Sequence, residues 1–166
     1  MIEHVNRLVL PLVISNILHM IIIRQDALRA LARPVHAPAF GANKTWRGFV
    51  VLATLNALAV PLFSPGEPLF GSMLLGAFLG VVYMLFELPN SWLKRRSGIA
   101  PGASAERNRI LYAAVDKTDS ALGVTLAYWI VAGVTAAEAV LLFIICSAAH
   151  VVFSLLLVTL RVKRGF

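Results

Sequence analysis

Val115-Asp116-Lys117-Thr118-Asp119-Ser120-Ala121 is the stretch on which the fold turns. It lies inside an apolar run, Ile110 to Val134, long enough to cross a bilayer as a helix. Asp116 and Asp119 are three apart and share one helix face. Ionisable groups at membrane depth are costly and are kept where they have partners or a task. Lys117 is a weak partner for Asp116, because adjacent residues on a helix point apart. The partners are therefore sought in distant parts of the chain.

The composition sets the surroundings. The 166 residues are 59% hydrophobic and only 14% charged. That describes one all-α integral membrane domain covering residues 1–166. Net charge is +7, with the basic residues clustered beside apolar runs. Such clusters serve topology and anionic headgroups, and segments this short argue against nucleic-acid binding. The lone cysteine, Cys146, excludes an internal disulfide and reads as a small buried hydrophobe. The first apolar run lacks the basic region and cleavage pattern of a signal peptide.

Outward from the acidic stretch, the apolar runs predict five transmembrane helices. They are Leu8–Ile23, Phe49–Phe63, Leu69–Leu88, Ile110–Val134 and Ala139–Leu160. Pro11 is expected to kink the first. Asn16 and His19 share a face of it, which predicts a hydrogen bond between helices. The third carries Gly71, Ser72, Gly76, Ala77 and Gly80, small residues that permit close helix approach. Two long basic loops are expected, from Arg24 to Arg47 and from Pro89 to Arg109, with Gln25–Ala32 as a short interfacial helix in the first. Short turns at 64–68 and 135–138 carry only Glu67 and Glu138. The positive-inside rule then places both loops and the C-terminus in the cytoplasm and the N-terminus outside, with Arg7 dissenting. Asp116 and Asp119 would lie roughly 9–14 Å below Ile110, within reach of the cytoplasm through a polar cavity. His4 and His36 read as exposed interface residues, and His150 as a hydrogen bonder within the bundle.

Three constellations carry chemistry. The aspartate pair, followed by Ser120, suits a hard divalent cation; ion pairing with Arg107 or Arg109 is the alternative. The stretch Gly41-Ala42-Asn43-Lys44-Thr45-Trp46-Arg47-Gly48 offers two cations and hydrogen-bond donors between glycines. It is not a P-loop, and a Trp/Lys/Arg membrane anchor would read the same way. The third stretch runs from Glu87 through Pro89, Asn90 and Ser91 to Lys94, Arg95 and Arg96. Three cations at a span end signal topology, but Glu87, Asn90 and Ser91 are not needed for that and suit a phosphate and metal site.

Taken together these stretches resemble the CDP-archaeol synthase family, compact relatives of the CTP:phosphatidate cytidylyltransferases. The likeness covers Gly-Ala-Asn-Lys-Thr-Trp-Arg-Gly (41–48), Glu-Leu-Pro-Asn-Ser-Trp-Leu-Lys-Arg-Arg (87–96) with Gly98 and Pro101-Gly102, and Asp-x-x-Asp-Ser (116–120). Lys117 departs from the family pattern, where this position is commonly uncharged. The resemblance implies transfer of CMP from CTP to a membrane lipid phosphate with Mg²⁺, in the cell's cytoplasmic (inner) membrane. It assigns Asp116 and Asp119 to Mg²⁺, with Glu87 and Ser120 beside them. It assigns Lys44, Arg47, Lys94, Arg95 and Arg96 to phosphates, and Asn43, Thr45, Asn90 and Ser91 to substrate. It also implies lipid tails in a groove along the small-residue face of the third helix. Phosphate monoesters are already anionic at neutral pH, so such a reaction needs positioning and charge stabilisation, not a nucleophilic serine. A CDP-alcohol transferase would need Asp-Gly-x-x-Ala-Arg, which is missing. A non-enzymatic transporter or assembly subunit would use the carboxylates for proton or cation coupling and has no need of the 43–47 loop.

Overall fold

A computed structural model describes residues 1–103 and 109–159. Arg107, Arg161, Lys163 and Arg164 lie outside the described residues. The described chain is helical, with no strand: α1 (Ile2–Arg24), a 3-10 turn (Arg29–Leu31), α2 (Ala37–Phe40), α3 (Trp46–Leu62), α4 (Leu69–Arg96), α5 (Arg109–Ala132) and α6 (Ala136–Thr159).

The long helices form a closed ring. α1 packs on α3, α3 on α4, α4 on α5, α5 on α6, and α6 returns to α1. Helices consecutive along the chain run in opposite directions, so α6 and α1, which close the ring, run the same way; side-chain contacts at the two ends make this plain. At one end His4 Nδ1 meets the Tyr128 hydroxyl at 3.0 Å, and Arg7 donates to Glu67 at 3.0 Å. At the other end Lys44 meets Glu87, and Asn90 meets Asp116. Leu8, Leu12, Leu52, Leu79, Val124, Tyr128 and Leu142 fill the centre. The outside remains apolar: Leu58, Leu62, Phe70, Ile130, Ile144 and Val152 are all exposed. An apolar core inside an apolar surface is the pattern of a bundle solvated by lipid.

Among the described residues three helices are long and apolar enough to cross a membrane: Ile2–Arg24, Leu69–Arg96 and Ala136–Leu156. α3 is apolar but has only 17 residues. α5 has the length, at 24 residues, but carries Asp116, Lys117 and Asp119 in its body.

Several expectations change. The segment from Pro89 is not a loop, because α4 continues to Arg96 with Pro89 inside it. Proline removes one backbone donor, and a helix already packed on neighbours tolerates the loss. Residues 25–32 form a turn and a 3-10 segment instead of an interfacial helix. Asp26 and Leu28 there adopt positive φ of 50° and 56°, which no α-helix permits. His4 is half-buried against Tyr128 instead of exposed. Arg7, the dissenting cation near the N-terminus, forms an ion pair with Glu67 at 3.0 Å.

The small residues of α4 do allow close approach, but to α3. A Cβ on Gly76 would stand 2.2 Å from the Asn56 carbonyl oxygen, and one on Gly80 would stand 2.5 Å from that of Leu52. This face is therefore covered by protein and does not form the groove expected for lipid tails. α6 starts with a capping box. Glu138 accepts from Thr135 N at 2.9 Å and from its hydroxyl at 2.8 Å, while Glu138 N donates to Thr135 Oγ1 at 3.3 Å.

Candidate functional site

On a continuous α4, residues Glu87, Asn90, Ser91 and Lys94 fall at i, i+3, i+4 and i+7, one stripe of the helix. α5 lies against that stripe and presents Asp116 and Asp119 to it. Asn90 Nδ2 donates to Asp116 Oδ1 at 2.5 Å and to Asp119 Oδ2 at 3.0 Å. Lys94 Nζ pairs with the second oxygen of Asp116. Asp119 Oδ1 accepts from the Ser120 amide at 2.6 Å and from its hydroxyl at 3.3 Å. Asn90 is thus the bracket that holds the two carboxylates side by side. Ser91 turns inward and donates to the Glu87 carbonyl at 2.9 Å, serving its own helix.

The 43–47 segment is brought here by a short antiparallel contact between Pro34 and Thr45. Val35 N donates to Lys44 O at 2.9 Å, and Trp46 N donates to Arg33 O at 3.0 Å. Lys44, fixed between these bonds, reaches across to Glu87. Burial pulls its ammonium down. The charge and hydrogen bond of Glu87, with Asp119 and Asp116 beyond, outweigh that and hold it above the ordinary lysine value. Its contribution to stability is complete below the unfolded value and fades only as pH rises through the raised one, so the pair is intact at neutral pH.

The remaining candidates divide. Arg95 donates from Nη2 to the Ala100 carbonyl at 3.1 Å, and its Nη1 stands 3.2 Å from the position of a Gly41 Cβ. Asn43 Oδ1 lies 2.9 Å from the same point. Gly41, at φ +88°, is therefore the floor on which Asn43 and Arg95 gather. Thr45 is the N-cap residue of α3, and its side chain makes no capping bond. Arg47 is buried and donates from Nη1 to Asp26 Oδ1 at 3.2 Å and Ala27 O at 3.0 Å, which ties down the turn after α1. Arg96 stands apart, exposed over the Trp92 ring at 4.9 Å. Lys117 points to the other side of α5 and donates to Ser154 Oγ at 2.6 Å.

Comparison with protein-family models, curated proteins and solved structures finds no match to this chain. The chemistry must be argued from the arrangement alone. Among the described residues no group of three or more His, Cys, Asp and Glu is placed to hold a metal. Asp116 and Asp119, held side by side by the Asn90 amide nitrogen, form a smaller all-oxygen set. That set fits Mg²⁺, which takes one or two carboxylates and completes its shell with water and substrate phosphate. Glu87, by contrast, is engaged with Lys44.

Two residues near the site carry no site role in the sequence reading. Tyr83 on α4 accepts from Asn16 on α1 at 2.9 Å and comes within electrostatic reach of Asp119. His19 lies buried near Lys44, Arg47 and Glu87. The Asn16–Tyr83 bond is the interhelical bond expected of that face of α1, and His19 takes no part in it. The signal for both is their register: Tyr83 is four residues before Glu87 on the α4 stripe, and His19 is one turn beyond Asn16.

Proposed function

We propose that the chain is a Mg²⁺-dependent cytidylyltransferase that moves CMP from CTP onto a membrane lipid phosphate, of archaeal ether or phosphatidate type. The observation that carries this reading is the Asn90 bracket: two carboxylates held together beside Lys94, with Lys44 brought in from a remote segment. A bare ion pair would need neither the second aspartate nor the bracket.

A lipid phosphate oxygen attacks the α-phosphorus of CTP. The bond from that phosphorus to the bridging oxygen breaks, and its electron pair leaves with pyrophosphate. Mg²⁺, when bound, supplies charge neutralisation to the phosphates. Asp116 and Asp119 would hold it. Lys94 and Arg95 would take the triphosphate, with Lys44, paired to Glu87, beside them. Asn43, beside Arg95, is placed to touch the nucleotide. No acid–base dyad is required, since both reacting partners are anions to be brought into line.

Five spans are proposed, with α3 and α5 crossing as well. The packed ring supports this, because α3 and α5 alternate in direction with the three long apolar helices. The site end carries Arg24, Arg29, Arg33, Lys44, Lys94, Arg95 and Arg96, and the opposite end carries Glu67 and Glu138 with Arg7 paired to Glu67. Under the positive-inside rule this charge distribution supports the proposed orientation, with the site on the cytoplasmic side of the inner membrane and the N-terminus outside. A cleft between α1, α4, α5 and α6, lined by Val13, Val124 and Phe153 together with Asn16, Tyr83 and His150, is the proposed entry for lipid chains in place of the covered face of α4.

Turnover of labelled CTP against ether and ester lipid phosphates tests the reading. CDP-lipid and pyrophosphate should appear in equal amounts and vanish on chelation of Mg²⁺. Without lipid, CTP with Mg²⁺ at about a hundredfold excess over Kd should stabilise the protein by about 2.7 kcal/mol, a rise of several degrees in Tm. No shift with any nucleotide would favour a membrane component that couples cations or protons through these carboxylates.

A further inference from the structure

The cleft between α1, α4, α5 and α6 holds about 630 Å³ of space, open side included, within the roughly 300–1,000 Å³ of small-molecule sites. Its walls change along their length. Leu12, Val124 and Cys146 line the half away from the acid site, and Asn16, Tyr83, His150 and Ser154 line the half nearer to it. The polar half is drawn together from three helices. Asn16 Nδ2 on α1 donates to the Tyr83 hydroxyl on α4 at 2.9 Å. The Tyr83 ring lies beside the His150 ring of α6, with centroids 6.2 Å apart and planes at 31°. Ser154, one turn further along α6, accepts from Lys117 at 2.6 Å. Tyr83 also joins this wall to the acid site, because Ser120 and Asp119 act on its hydroxyl.

Asn16 narrows the ligand. A carboxamide has two N–H donors and an acceptor oxygen. Among the described residues the bond to Tyr83 is the only one this side chain makes. One N–H is left over in the body of a membrane-crossing helix, where an unmet donor is costly. A hydrocarbon chain cannot meet it, and the ether oxygen of a dialkyl lipid is a poor acceptor. An ester carbonyl is a good acceptor, and in a diacylglycerol phosphate the ester linkages sit only a few bonds from the phosphate. That short span matches a polar wall joined to the acid site through one residue, Tyr83. Lys117, buried behind Ser154, adds positive potential that favours the same carbonyl dipole.

We infer that the cleft seats one chain and the ester linkage of a diacylglycerol phosphate, the linkage carbonyl accepting from Asn16 and the phosphate directed past Tyr83 to the acid site. This rests on the cytidylyltransferase reading and chooses between the two lipid classes that reading leaves open. The test measures direct binding to the full chain in neutral-detergent micelles. Its probes are a diacylglycerol phosphate, a dialkylglycerol phosphate of matched chain length, and CTP with Mg²⁺. Wild-type protein should bind the diacyl lipid about fivefold or more tightly than the dialkyl lipid. Asn16→Leu and Asn16→Ala should each bring diacyl binding down to the dialkyl level. Both should leave dialkyl and CTP binding within about twofold of wild type. A merely structural role for Asn16 would weaken both lipids together, and that result overturns the inference. Equal binding of the two lipids by wild-type protein overturns it without any variant having to fold. A diacyl preference that persists in both variants overturns it as well. A wild-type protein that binds no CTP sinks the cytidylyltransferase reading itself. Wild-type CTP binding with no diacyl preference sinks only the inference.

Discussion

Asp119→Asn and Asp116→Asn should each lower CMP transfer by at least about a hundredfold while the protein keeps its helical content. Asparagine preserves the size of the side chain but only one acceptor oxygen, so Asp119→Asn keeps either the Asn90 or the Ser120 contact and Asp116→Asn keeps either the Asn90 or the Lys94 contact. What disappears is negative charge, which a hard cation needs. The two variants should differ in their other effects. Asp116 also pairs with Lys94, so Asp116→Asn leaves a cation without its charged partner. Asp119 has no lysine contact of that kind and is tied into the backbone of its own helix. Asp119→Asn should therefore be the cleaner loss of activity, with Tm close to that of the wild type. Labelled CTP turnover and thermal melting, measured on the same samples, check both statements. Full turnover in either variant removes the metal assignment.

The largest loss of stability is expected at the α3–α4 contact. At Gly76 and Gly80 a methyl group would run into backbone oxygens at 2.2 and 2.5 Å, and backbone cannot step aside as a side chain can. Gly76→Ala and Gly80→Ala should each cost about 1–3 kcal/mol or more through forced separation of the two helices. Valine at either position should prevent accumulation of folded protein. Gly123 on α5 is a further close approach: a Cβ there would meet Phe86 Cγ at 2.2 Å and Phe86 Cβ at 2.7 Å, and because Cβ is fixed to the α4 backbone, Gly123→Ala should lower Tm as well. Because α4 also carries Asn90 and Lys94, the α4 variants that still fold should lose turnover as well.

Much of this is legible from residue spacing. Asp116 and Asp119 at i and i+3 do share a face, and Lys117 does point elsewhere. The small residues of α4 do mark a close helix contact, but the sequence does not name the partner, which is α3. Spacing misleads where proline is treated as punctuation. Ending the helix before Pro89 hides the Glu87, Asn90, Ser91, Lys94 stripe, whose spacing is helical throughout. The Arg47–Asp26 bond is out of reach for another reason. It depends on positive φ at Asp26, and neither Asp26 nor Leu28 is a glycine to advertise such a turn. His19 reads as a structural hydrogen bonder because a histidine on an apolar helix usually is one. Only three-dimensional placement shows that its nitrogen has no partner.

The uninterrupted course of α4 from Leu69 to Arg96 has one more consequence. Glu87, Asn90 and Lys94 behave as marks on a single rod, and each residue added to a helix turns the rest of the rod by about 100°. An insertion or deletion between Asn90 and Lys94 would swing the ammonium off Asp116 even with every side chain retained. Length in that interval is therefore constrained more tightly than identity at most of its positions.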